Sequence, residues 1–342
     1  MTQGDVKGRF KHRPPGSNWG DFGPDDQKGR LNLLTPERRK MALQHAIEGI
    51  TFTLSLPLDY PGGSALMPYR RPPCFHVAER EGRPNYNFPL ATLSRAFTDM
   101  VSDDAVTLYT QYSTQWDSLA HMGGRFDADG DGVAEYVYYN GFRADQDVVS
   151  PIDGAGGARA LGIENMAMAG VQGRGVMVDL LRPFGSARTR VGYDDLMRCL
   201  ENQRVEVGAG DFLCLRTGLA DLILSMNKDP DPKRLHNSCA ALDGRDEKLL
   251  QWIDTSGLVA ICADNFAVEA WPTAKATTPL FAAYPLHEHC LFKLGIHLGE
   301  LWYLSELADW LRAHDRSCFL LTAPPLRLPG GVGSPVTPIA TV

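Results

Sequence analysis

Apolar positions along the chain recur with two periods, and the changes between them mark the elements. Leu258-Val259-Ala260-Ile261-Cys262 is apolar throughout and reads as a strand buried on both faces. Val176-Met177-Val178, Phe212-Leu213-Cys214-Leu215 and Phe319-Leu320-Leu321 read as further buried strands. Residues 51 to 56 and Val106-Thr107-Leu108-Tyr109-Thr110 alternate instead, the pattern of a half-buried strand. Between these runs the spacing becomes helical. Thr35 and Pro36 suit an N-cap and first helical position, predicting a helix to about Ile47 that stops at Gly49. Further helices are predicted from Gly162 to Met166, over 193–202 with acidic residues near its start, over 244–253 and over 304–313. Strands and helices alternate along most of the chain, so the fold class is α/β. No repeat or linker interrupts them, and residues 1–342 are read as one domain.

Two stretches lack either period. Residues 1–34, rich in Gly, Pro and charge, predict an irregular arm anchored by Trp19 and Phe22. Residues 57 to 104 are dense in Pro and Arg and read either as a rim or lid over the strand end at 111, with Phe75 and His76 as substrate contacts, or as a structural loop or oligomer contact. Composition then narrows the function. The chain of 342 residues carries a net charge of −7 and no dense basic cluster, which argues against nucleic-acid binding. No apolar run approaches the length of a membrane span, and Met1 to Asp5 lack the apolar core of a signal peptide. The 7 cysteines form no Cys-x-x-Cys pair, as in a reducing compartment. A cytoplasmic protein acting on a small molecule is expected.

Chemistry-bearing residues concentrate in two places. Gln111 to His121 follows the alternating run and packs two amides, a carboxylate and an imidazole into one short stretch. Such groups, fixed at a strand end, can ligate a cation or move a proton. Later, His287, His289, His297 and Glu300 form an unusual density of metal-capable groups, of which His289 and His297 read as core histidines. Asp127-Ala128-Asp129-Gly130-Asp131-Gly132 matches the first half of a calcium-binding EF-hand loop. Its twelfth position is Tyr138 in place of a bidentate Glu, so it reads as an acidic turn before a strand from Tyr136 to Tyr139.

The stretch from Gln111 to His121 resembles the motif His-x-Gly-Thr-His-x-Asp-x-Pro-x-His of the cyclase family of metal-dependent hydrolases, which includes kynurenine formamidase and isatin hydrolase. Thr114, Asp117 and His121 match it; Gln111 and Gln115 stand at the two leading histidines, Ser113 at the Gly and Leu119 at the Pro. Asn18 to Leu34, Gly173-Arg174-Gly175-Val176, the segment ending Arg216-Thr217-Gly218, the His287 to Glu300 spacing and residues 329–335 are similar to the longer members in the same order. The resemblance implies a swivelling β/β/α fold, mixed sheets flanked by helices, and a homodimer or homotetramer. It implies Asp117 and His287 as metal ligands, His121 and Glu300 as the catalytic pair, and Gln111 and Gln115 as amide ligands. Amides in place of imidazoles favour Mn²⁺ or Mg²⁺ over Zn²⁺. Tyr112, Trp116 and Trp271 are expected to contact a flat or aromatic substrate. The reading is a hydrolase of a small cyclic or aromatic amide, ester or lactone. Its alternatives are a metal-free cyclase, dehydratase or isomerase using His121 and Glu300, or a member that only binds a ligand.

Overall fold

The strands that form the framework are those whose side chains are apolar on both faces. In the computed structural model, which describes residues 8–64 and 66–342, nine strands join in one mixed sheet. Numbered in chain order, they are β1 (Thr51–Thr53), β2 (Gln115–Asp117), β3 (Gln172–Asp179), β4 (Phe212–Arg216), β5 (Ala260–Ala263), β6 (His297–Glu300), β7 (Cys318–Thr322), β8 (Gly333–Pro335) and β9 (Ile339–Thr341). Their spatial order is β1-β9-β7-β3-β4-β5-β6-β2-β8. Neighbours from β3 to β6 run parallel, and both flanks are antiparallel.

Alternation divides the central strands between two cores. Val176, Val178, Leu213, Leu215, Ile261 and Ala263 face one core, shared with the helices Tyr193–Gln203 and Glu247–Ser256. Met177, Phe212, Cys214, Ala260 and Cys262 face the other, covered by the helix Ser305–Ala313. Each large apolar side chain buried this way contributes roughly 1.5–3 kcal/mol relative to exposure. A two-stranded parallel sheet, Thr189–Val191 with Ala240–Leu242, stands beside the main one. This is the expected α/β arrangement of mixed sheets flanked by helices.

Trp19 anchors the N-terminal arm as predicted: it is buried, its Nε1 donates to Phe292 O at 2.7 Å, and its ring meets Phe10, Phe126 and Phe292 edge-on. Residues 1–7 of that arm lie outside the described residues. Several boundaries differ from the sequence reading. The helix capped by Thr35 spans only Pro36–Leu43, because Ile47 lies 73% exposed with nothing to pack on. The helix expected over 244–253 starts at Glu247, where Asp246 Oδ1 accepts from the backbone of Lys248 and Leu249. The segment 329–335 contains the edge strand β8 as well as a turn. The run 106–110 is not a half-buried strand. Asp104–Thr107 pairs with Cys74–Val77 in a two-stranded ribbon with no layer packed on it, leaving Phe75, Val77, Val106 and Tyr109 exposed.

Candidate metal centre

The centre begins with the position of β2 between β6 and β8. Antiparallel register sets Gln115 opposite Glu300 and Asp117 opposite Leu298. Paired residues point to the same side and alternate ones to opposite sides, so Gln115, Asp117 and Glu300 share one face. Trp116 must then point the other way. It is 0% exposed in the second core, edge-on to Trp302 at 5.0 Å, with Nε1 donating to Ala323 O at 2.8 Å. That corrects its reading as a substrate contact. Gly299 lies opposite it, and a Cβ there would stand 2.8 Å from Trp302 Nε1.

One hydrogen-bonded array joins the polar face. Gln111 Nε2 donates to His121 Nδ1 at 2.7 Å and to Asp117 Oδ1 at 3.3 Å. Gln115 Nε2 donates to Glu300 Oε2 at 3.0 Å and to Asp117 Oδ1 at 3.4 Å. Glu300 Oε1 lies 3.2 Å from His287 Nε2, and His287 Nδ1 lies 2.8 Å from Glu269 Oε1. His121 Nε2 is 3.9 Å from Asp117 Oδ1. The four residues Asp117, His121, His287 and Glu300 thus meet in one place. Thr114, the matched motif threonine, donates from Oγ1 to Leu301 O and accepts from Leu56 N, pinning the start of β2. Leu301 and Val268, neighbours of Glu300 and Glu269, hold φ of 56° and 55°. For bulky residues that conformation costs on the order of 1–3 kcal/mol each, strain of the kind found at functional sites.

The electrostatics favour a cation. Asp117, Glu269 and Glu300 are all buried, and the imidazoles of His121 and His287 stand among them. Burial and the field of Asp117 push the Glu300 carboxyl up to about 7, against the pull of His287. Burial opposes charge on His287, but its bonds to Glu269 and Glu300 outweigh this and raise it to about 10. Burial lowers His121; Asp117 opposes that shift, and His287 and Arg70 add to it. Asp117, His287 and Glu300 each offer a ligand atom, all within 4.8 Å of one another. Asp117 Oδ2 and Gln115 Oε1 are buried here without a hydrogen-bond partner. Unpaired buried acceptors beside clustered carboxylates are the donor set a divalent ion satisfies, so the residues fit one.

The family model Cyclase matches residues 45–270. The chain belongs to the cyclase family. A crystal structure described as a novel cyclase is 32% identical with a TM-score of 0.75, over 97% of this chain and 100% of that one. Isatin hydrolase A from Labrenzia aggregata, bound to benzyl benzoate, shares the fold at 11% identity and TM-score 0.56, over 89% of this chain and 98% of its own. An isatin hydrolase bound to the product analogue thioisatinate does so at 13% identity and TM-score 0.54, over 90% and 99%. Among curated proteins, none matches the chain in sequence.

Other residues proposed for this cyclase-family site fall elsewhere. Phe75, 72% exposed, and His76, bonded through Nε2 to Thr107 Oγ1, are carried into solvent on the ribbon and do not join the centre. Tyr112 is structural: its hydroxyl accepts from Gly62 N and donates to Gly63 O, fixing the preceding loop. From that loop Arg70 donates to Gln111 O at 2.7 Å, and its charge reaches His121 and Glu300. Trp271 lies one layer out, stacked at 4.8 Å on Tyr284, whose ring meets His287 edge-on at 5.5 Å. A trough of about 760 Å³ opens beside them, lined by Met122, Arg125, Tyr136, Phe281 and Tyr284. His289 donates from Nε2 to Leu250 O at 3.0 Å and belongs to the core. The acidic turn closes the hairpin Gly124–Phe126 with Glu135–Val137, so the strand expected from Tyr136 to Tyr139 starts one residue early and ends at Val137. Asp127 accepts from backbone amides of the turn, and Asp129 pairs with Arg143. Sequence reading missed Glu269 as part of the array. Its only signal was a polar residue past the exit of β5.

Proposed function

We propose that the protein is a metal-dependent hydrolase that opens a small cyclic or aromatic amide, ester or lactone. The observation that carries this is the buried convergence of Asp117, His287 and Glu300, with Asp117 Oδ2 and Gln115 Oε1 unpartnered beside them. The hydrolytic activities named for the isatin hydrolases of the same fold support it. Asp117, His287 and Glu300 would hold the ion, with the Gln115 carbonyl available as a further oxygen donor. Gln111 serves instead to orient His121 and Asp117 through its amide N–H groups. A set dominated by oxygen favours Mn²⁺ or Mg²⁺ over Zn²⁺. When bound, such an ion polarises a carbonyl oxygen and acidifies water at neutral pH. His121, accepting at Nδ1 from Gln111, keeps its ring proton on Nε2 and is the group that holds or moves a proton. The trough lined by Tyr136, Phe281 and Tyr284 takes the apolar body of the substrate, with Trp271 bracing Tyr284.

A second reading has its own support. Both glutamine amides already donate to Asp117 or Glu300, which suits a metal-free acid–base site using His121 and Glu300. Elemental analysis of protein purified without added metal separates the two, with turnover of aryl amides, esters and lactones followed before and after chelation. The hydrolase reading expects about one divalent ion per chain, activity lost on chelation, and affinity in Asp117→Asn weakened beyond the roughly 10–100-fold of an outer-shell change. Undiminished turnover in a chain holding no ion would replace it with the acid–base reading.

A further inference from the structure

Glu269 falls outside the Asp117, His287 and Glu300 ligand group, yet it is 1% exposed and its carboxylate faces the turn that carries His287. Its Oε1 accepts from the backbone N of His287 at 3.0 Å and lies 2.8 Å from Nδ1 of the same residue. Its Oε2 accepts from Leu286 N at 3.2 Å. Three contacts thus fix the carboxylate, and all fall on the turn that carries His287. The chain accommodates it at a cost. Val268, a β-branched residue, adopts a left-handed conformation immediately before it, and Gly244 leaves the space its Oε2 occupies, since a Cβ there would overlap that oxygen. Backbone pairing of Leu242 with Val268 and Ala270 on either side holds the segment against the small parallel sheet.

We propose that Glu269 is the positioning residue of the centre, holding the proton of His287 on Nδ1 so that the Nε2 lone pair is presented to the ion between Asp117 and Glu300. A ring nitrogen can bind a cation only if the proton is kept on the other one, and a carboxylate acceptor fixes both tautomer and ring orientation. The inference rests on the cation-binding reading above and adds a third carboxylate to the charge around the ion.

The test is Glu269→Gln, which retains one carbonyl oxygen, replaces the other by an amide N–H₂ and removes the negative charge. Calorimetric titration with Mn²⁺ at fixed pH should show affinity 10–100-fold weaker than the parent. In the metal-free protein, the hydrogen-bonded Nδ1 proton of His287 should give a downfield NMR resonance in the parent that is lost in the variant. A folded variant with parental Mn²⁺ affinity and an unshifted resonance would overturn the proposal, leaving Glu269 as a cap for the turn. A parent that binds no Mn²⁺ sinks the hydrolase reading instead; the resonance then decides the role of Glu269 alone. Should Glu269→Gln fail to fold, Glu269→Asp, which retracts the same oxygens by one methylene, serves with both readouts.

Discussion

Gln111 and Gln115 each place an amide N–H, not a ring nitrogen, against Asp117. Each therefore answers the negative charge by hydrogen bonding, where an imidazole would share a cation with it. Replacing both by His supplies borderline-soft nitrogen donors, and Gln111→His with Gln115→His should raise Zn²⁺ affinity by roughly tenfold or more at equal pH. Zinc stoichiometry and affinity in the double variant, unchanged from the parent, would show that these positions do not face the ion. The same residues define how far the site could be read from the chain. Asp117, His287 and Glu300 stood out because they lie in two dense clusters of metal-capable groups and match the family's motif and spacing. Trp116 misled because its neighbours are polar. Only the strand assignment shows that a residue between two site groups must face the opposite core. Glu269 and Arg70 act across long sequence separations, where spacing carries no information.

At the scale of the element, β6 owes its close fit against β2 to Gly299. A methyl group there would sit 2.8 Å from Trp302 Nε1 and 3.1 Å from the Trp116 ring, both within a packed core. Gly299→Ala should cost about 1–3 kcal/mol by overpacking, read as a lower urea midpoint at unchanged slope. It should also weaken ion binding, because Glu300 is the next residue. A variant as stable as the parent would mean the two indoles have room to move. Strands β3, β4 and β5 were legible because both faces of their central stretches are buried, which forces the apolar runs 176–178, 212–215 and 260–263. The strand β2 was not, since one of its faces is the polar centre. The 106–110 run was misread for the converse reason: alternation in an exposed ribbon mimics the signature of a sheet with one buried face. Helix ends shifted where a cap such as Asp246 outweighed apolar periodicity.

For the molecule as a whole, histidines held neutral in the core contribute to acid sensitivity. Burial, with Lys293 nearby, lowers His289 to about 4 against the carbonyl of Leu250. A folded value below the ordinary 6.5 means the fold prefers the neutral ring. Its contribution is complete above pH 6.5 and is lost as pH falls through 4, about 3 kcal/mol for this one group. Urea midpoints at pH 7 and pH 4.5 should diverge more in the parent than in His289→Gln, and equal losses in both would assign acid sensitivity elsewhere. The sheet order carries a last consequence, for the timing of synthesis. Gln115 and Asp117 pair with β6 on one side and with β8 on the other, and β8 leaves the ribosome roughly two hundred residues after β2. A nascent chain therefore carries the first half of its centre long before the second half exists. Whatever the centre binds with its full set of ligands is acquired only after translation has passed residue 300.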